Sequence, residues 1–225
     1  FPKHGGRAPE FEDRNTLEWM GRFLGRIHAV GALKPFQHRP TLDIASFGLE
    51  PLDFLLTNNF IPADLEAAYR SVAEQSLVGV RLCFERAGNH IKVLRLHGDC
   101  HAGNVLWTDS GPHFVDFDDS RMGPAVQDLW MLLSGERTDM VRQLNDVLAG
   151  YEDFYDFDSN EVHLIEALRT LRLIHYSAWL AQRWDDPAFK QAFPWFNTQR
   201  YWQERVLELR EQIALMDEPP IGLIS

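Results

Sequence analysis

Apolar residues recur at steps of three and four over much of the chain, and this spacing predicts a mostly helical protein. Asn15-Thr16-Leu17-Glu18 reads as a capping box opening a helix whose Leu17, Met20, Leu24 and Ile27 share one face, with Gly31 at its end. Between Leu33 and Phe60, Pro35, Pro40 and Pro51 interrupt any long period, so loops and short turns are expected there. Pro62 stands where a first helical turn tolerates it. Leu65, Tyr69, Val72, Val80 and Phe84 then supply a stripe that ends at Gly88.

The pattern changes in the middle of the chain. Val93-Leu94-Arg95-Leu96, Asn104-Val105-Leu106-Trp107 and Phe114-Val115-Asp116-Phe117 are short β-like runs, and Asp109-Ser110-Gly111-Pro112 reads as the turn of a hairpin. Helical spacing resumes over 124–133, 137–151 and 160–184, where Asp185-Asp186-Pro187 stops it. The third of these stretches is apolar on most sides, which predicts burial. Thr198 reads as the N-cap of a last helix carrying Trp202, Val206, Leu209, Ile213 and Met216, and Pro219-Pro220 closes it. The expected fold is mostly α around a small β insert.

A composition that is 45% hydrophobic and 24% charged over 225 residues is that of a globular chain. The net charge of −11 repels a phosphate backbone, so nucleic acid is not an expected partner. No apolar run approaches the roughly eighteen residues needed to span a bilayer, so no membrane partner is expected. Cys83 and Cys100 cannot build a disulfide framework and form no CxxC pair, which fits a reducing compartment and a cytoplasmic monomer.

The densest polar cluster is His97-Gly98-Asp99-Cys100-His101-Ala102-Gly103-Asn104, followed by Asp116-Phe117-Asp118-Asp119. Crowded carboxylates are costly to bury unless a cation or hydrogen-bond donors offset them. Magnesium takes oxygen ligands, and Asn104 with Asp116 offers an amide oxygen and a carboxylate; Asp99 is then left as a base. Phosphoryl transfer asks for such a set, because the protein must orient a hydroxyl while charge on the β- and γ-phosphates is offset. The protein-kinase catalytic loop, H-R-D-x-x-x-x-N, has the spacing of His97-x-Asp99-x-x-x-x-Asn104, with Gly98 in place of the arginine and Asp116-Phe117-Asp118 in place of D-F-G.

H-G-D-x-x-x-x-N followed by an aspartate at a strand end resembles the aminoglycoside phosphotransferase and choline kinase branch of the protein-kinase-like superfamily. Within it, the stretches 94–104, 114–116, 123–131 and 186–189 are most similar to bacterial stress-response protein kinases. The resemblance implies the C-terminal, catalytic lobe of a kinase-like α+β fold across 1–225, with the catalytic loop at 97–104, a metal-binding segment at 116–119 and a helical subdomain at 124–216. It implies ATP and Mg²⁺ as cofactors, Asp99 as proton acceptor, Asn104 and Asp116 as metal ligands, and a protein substrate bearing a Ser or Thr hydroxyl. It also implies that Asp128 holds the catalytic loop through backbone hydrogen bonds.

Neither a Gly-rich phosphate loop nor a V-A-I-K-type strand lysine precedes Asp99, and the chain opens on Phe1. The nucleotide-covering N-terminal lobe is therefore expected to be missing from this chain, which alone should transfer phosphate poorly.

Other readings compete. The same triplet serves small-molecule kinases acting on choline, homoserine or an aminoglycoside. His97-x-Asp99-x-His101 has the look of a metallohydrolase ligand set, though distant histidine clusters are lacking. A non-catalytic binding module is a third. Among single residues, His97 is expected to pack beneath the loop, His101 to face solvent, Cys100 to be inert beside Asp99, and His28 to complement a helix dipole and nothing more. Trp179, Trp184, Phe193, Trp195, Phe196, Tyr201 and Trp202 are expected to form core rather than a pocket.

Overall fold

The computed structural model describes residues 5–11 and 13–223. Helices dominate, with four short strands between residues 94 and 123. The chain divides into two compact units: the described residues of 1–41 with His90–Val162 and the last residues from Ile221, and Leu42–Asn89 with His163–Pro220. The helical stretch expected over 124–216 is thereby shared between the two.

The first unit carries the site. Its opening helix, α1 (Arg14–Gly31), is capped by Asp13, whose carboxylate accepts from the Thr16 amide and hydroxyl at 2.9 Å each. The cap thus lies two residues before the expected Asn15, because aspartate is as good an N-cap as asparagine and its side chain reaches the N3 amide directly. Leu17, Met20 and Leu24 are fully buried, as their spacing predicts. This helix crosses α5 (Arg137–Tyr151) at glycines: a Cβ on Gly21 would stand 1.9 Å from the Val147 carbonyl, and one on Gly150 would stand 1.9 Å from that of Glu18. Backbones that close leave no room for any side chain at the crossing.

Two antiparallel pairs make the β insert. β2 (Val105–Thr108) and β3 (Gly111–Phe114) form a hairpin, Val105 opposite Phe114, but its turn is only Asp109-Ser110: Gly111 and Pro112, expected in the turn, open β3, and of the expected run 114–117 only Phe114 is strand. β1 (Leu94–Leu96) pairs with β4 (Arg121–Gly123), Leu94 opposite Gly123. The sequence reading missed β4, whose three residues are too few to display an alternating pattern. α4 (Val126–Trp130) follows at once and is shorter than the expected 124–133.

In the second unit the stretch read as irregular holds a π-helical turn, Ala45–Leu49, running directly into α2 (Glu50–Thr57). Pro51, whose presence predicts an interruption, stands instead at the second residue of α2, immediately after the π-helical turn. α3 (Ala63–Ala87) ends at Gly88, whose φ of 86° is a left-handed terminator. α6 (Ile165–Gln182) is buried on most sides as predicted, although the first turns of the expected helix, Ser159–Leu164, are 3₁₀. A short α7 (Pro187–Ala192) precedes α8 (Gln199–Asp217), which is capped by the Thr198 hydroxyl.

Part of the aromatic cluster is core: Trp202, Phe196 and Tyr201 are buried, with Tyr69 of α3 meeting Trp202 edge-on at 5.3 Å, while Trp179, Trp184 and Phe193 are half-buried. Trp195 departs from that expectation. It is exposed, and with Tyr176, Thr198, Arg200, Tyr201, Glu204 and Arg205 it lines an open cavity of about 480 Å³.

Candidate active site

The loop leaving β1 is the first piece of the site. Its backbone is held from below by Asp128 on α4: the His97 amide donates to Oδ2 at 2.8 Å and the Gly98 amide to Oδ1 at 2.9 Å. Asp128 is fully buried, so both oxygens are satisfied by fixed donors rather than water. Gln127, its neighbour, donates from Nε2 to the Gly98 carbonyl at 3.3 Å. Gly98 has φ of 90°, and a Cβ there would stand 2.3 Å from the Asp119 carbonyl; only glycine fits this turn.

The His97 ring is buried, as expected, with Nε2 at 2.8 Å from the Val115 carbonyl. Since a carbonyl only accepts, Nε2 carries the proton and Nδ1 is the acceptor facing the Asp99 amide at 3.4 Å. The ring stacks obliquely against Phe117 at 4.7 Å. One histidine thus links the loop to the segment containing Asp116.

Asp99 follows this anchor. The Asn104 side-chain amide donates to the Asp99 carbonyl at 2.9 Å and stands 3.4 Å from its Oδ2, so the two ends of the loop are joined. With Nδ2 turned to Asp99, the amide oxygen of Asn104 points the other way. His101 is not simply a solvent-facing residue: Nδ1 lies 3.0 Å from the Gly103 amide, and Nε2 lies 3.4 Å from Asp99 Oδ2. Because Nδ1 accepts from Gly103, Nε2 is left as the N–H toward the carboxylate. Cys100 is wholly buried, and its thiol is pushed well up by burial and by Asp128 and Asp99, so it stays protonated and inert.

Asp116 arrives from the other side of the hairpin. The Val115 amide donates to the Asn104 carbonyl at 3.0 Å, extending the β2–β3 ladder, so Asn104 and Asp116 leave neighbouring strands at the same end. Asp116 adopts a left-handed conformation, φ 60° and ψ 66°, unusual for a residue with a side chain and tolerated best by Asp and Asn. Asp116, Asp118 and Asp119 are all exposed. Asp119 is tied back by Arg121, whose Nε and terminal nitrogen donate to its carbonyl and carboxylate at 2.7 Å each, and Arg39 donates to the Asp118 carbonyl.

Among the described residues, no group of three or more His, Cys, Asp and Glu could hold a metal ion. The candidate donor set is smaller and harder: one exposed carboxylate, Asp116, and one amide oxygen, Asn104. That set suits Mg²⁺, which commonly takes one or two protein oxygens and completes its octahedron with water and phosphate.

Sequence reasoning missed three buried residues that support the loop. His28 on α1 is fully buried between Asp128, with Nε2 at 3.0 Å from Oδ2, and the Tyr151 hydroxyl, at 2.9 Å from Nδ1. It is no dipole complement: its ring joins α1 and α5 to the carboxylate beneath the loop. Tyr151 is the second. Glu161, 2% exposed, is the third, with Oε2 accepting from the Val126 amide at 2.8 Å. The signal for all three is long-range packing, which periodicity does not carry.

Residues 2–165 match the APH model, described as the phosphotransferase enzyme family. Stress response kinase A of Escherichia coli strain K12 is 44% identical over 223 residues, covering 99% of this chain and 67% of the relative. The serine/threonine protein kinase RdoA of Salmonella typhimurium strain LT2 is 44% identical over the same span and shares. Among solved structures, the amicoumacin kinase hAmiN in complex with AMP-PNP, Ca²⁺ and Ami superposes with a TM-score of 0.64 at 17% identity, over all of this chain and 65% of that one. The chain therefore spans about two thirds of the relatives it matches, and no described helix is long and apolar enough to cross a membrane. By family match and by identity to these relatives, the chain belongs to the phosphotransferase enzyme family, with a helix-rich protein-kinase-like fold.

Proposed function

We propose that the protein carrying this chain is an ATP-dependent Ser/Thr protein kinase in which Asp99 is the base. The observation that carries the reading is the double attachment of the Asp99 loop, to Asp128 through two amides and to Asn104 through its side chain, one ladder position from Asp116. A carboxylate so fixed can orient an attacking hydroxyl with little loss of freedom in the reaction itself. The substrate oxygen forms a bond to the γ-phosphorus, the bond from phosphorus to the β–γ bridging oxygen breaks, ADP leaves, and Asp99 accepts the hydroxyl proton.

Asn104 and Asp116 would hold Mg²⁺, which when bound offsets charge on the phosphate oxygens. Their own contribution is to fix oxygen donors at the hairpin end. His101, through Nε2–H, orients Asp99 and keeps one carboxylate oxygen engaged. ATP as donor and a cytoplasmic setting belong to the same reading.

Identity to stress-response and Ser/Thr protein kinases supports a protein hydroxyl as acceptor. A second reading, transfer to a small alcohol, is favoured by the likeness in fold to amicoumacin kinase. Phosphate transfer by the full-length protein to a basic protein and to choline, homoserine and an aminoglycoside separates the two. Labelled basic protein, lost in Asp99→Asn, is the expected result; label only on a small alcohol favours the second reading, and transfer undiminished in Asp99→Asn overturns both.

A further inference from the structure

The site described so far rests on Asp128, yet α4, which carries that residue, is only five residues long. So short a helix does not hold itself. Its start is gripped instead by a residue from another part of the first unit: Glu161, in the 3₁₀ segment before α6, accepts the Val126 amide at 2.8 Å, and the Ala125 amide also favours its charged form. Val126 lies two positions before Asp128 and one before Gln127, the two side chains that hold His97 and Gly98.

We propose that Glu161 is a positioning residue for the catalytic loop, clamping the start of α4 so that Asp128 and Gln127 keep the Gly98–Asp99 peptide in register. The inference rests on the reading of Asp99 as the base. Glu161 touches no reacting atom; its effect passes through one turn of helix and three hydrogen bonds.

A plain fold-stabilising role makes a different prediction, because of the charge that the clamp uses. Burial pushes the Glu161 carboxyl up to about 7, with Asp158 adding to the rise and the Val126 and Ala125 amides opposing it. Its folded value lies above its ordinary one, so the folded protein binds an extra proton between them. The stability that Glu161 contributes is therefore complete below the ordinary carboxylate range and is lost as pH rises through about 7. The clamp itself is strongest when the carboxylate is charged, above that pH. Turnover and stability should thus move in opposite directions across neutrality. Asp158, on the connection after α5, and Tyr151, on α5, are the titratable groups that interact with Glu161; Asp128 and Tyr155 act on Tyr151, and His90 and Lys92 on Asp158; all are retained in a Gln variant, so a difference profile isolates Glu161.

The experiment measures kcat, KM for ATP and thermal midpoint of the full-length protein from pH 5.5 to about 8.5, for wild type, Glu161→Gln and Glu161→Ala, with Asp99→Asn as reference. Glu161→Gln, which keeps an acceptor oxygen, is expected to retain more than about a third of wild-type kcat at pH 6 and to lose the rise in kcat through neutrality. Glu161→Ala should lose about 10- to 100-fold in kcat with KM for ATP changed less than about threefold, the size expected of a displaced reacting group. Wild-type kcat in Glu161→Ala, or a Glu161→Gln profile superimposable on that of wild type, overturns the proposal even if Asp99→Asn is dead. Full activity in Asp99→Asn instead removes the reading on which it stands. If Glu161→Ala does not fold, the Glu161→Gln profile alone decides.

Discussion

The ground beneath the Asp99 loop and the acidic segment 116–119 are made of the same kinds of side chain and treated in opposite ways. Below the loop, His28, His97, Asp128 and Glu161 are almost wholly withdrawn from water, and each has a partner within 3.0 Å. In the acidic segment Asp116, Asp118 and Asp119 all face outward. Burying a carboxylate is tolerable only when its lone pairs are met, and Asp128 meets that demand with two backbone amides and a histidine. An exposed carboxylate keeps its capacity for a ligand that arrives from solvent. Rigidity is thus built beneath the loop, and accessibility is kept in the acidic segment.

The comparison can be broken first at the residue between the two regions. Asp99→Asn keeps the shape and removes the carboxylate proposed as base, and kcat should fall by about 10²- to 10⁴-fold in a phosphotransfer assay while the thermal midpoint is nearly unchanged. Asp128→Ala attacks the buried side: three donors lose their acceptor, so denaturant unfolding should show a loss of about 3–5 kcal/mol, with activity falling because the loop is released. Asp116→Asn attacks the exposed side and should leave the unfolding curve alone while raising the Mg²⁺ concentration for half-maximal activity by about 10- to 100-fold; titration of activity with MgCl₂ measures this. Asp119→Ala removes the carboxylate partner of Arg121 but not the carbonyl that Arg121 also holds, and should cost about 0–1 kcal/mol. Equal losses of stability in Asp116→Asn and Asp128→Ala would erase the distinction altogether.

The parts of this arrangement that were legible in the sequence are local ones. His97, Asp99, Asn104 and Asp116 stand out because the chemistry packs them within 20 residues of one another, and α5 and α8 were found because a single buried stripe repeats along each. β4 was invisible, being three residues whose only reason to be extended is that β1 lies beside it. α2 was hidden because Pro51 falls inside it, just after a π-helical turn that no local spacing announces. His28, Tyr151 and Glu161 were out of reach for another reason. His28 meets Asp128 from 100 positions away, Tyr151 meets His28 from 123 and Glu161 meets Val126 from 35, and nothing in the local spacing of a lone His, Tyr or Glu marks such a meeting.

Gly98 has one last consequence. Many kinases place an arginine at this point, and a phosphorylated side chain on the activation segment can switch such enzymes on by docking against arginine. Here the backbone turns through φ of 90° and the Asp119 carbonyl occupies the room a Cβ would need. No cation can be mounted at that position, so a phosphate added to the neighbouring segment would meet the carboxylates of 116–119 and no counter-charge from residue 98. A phosphate latch at that residue is therefore excluded by the backbone itself.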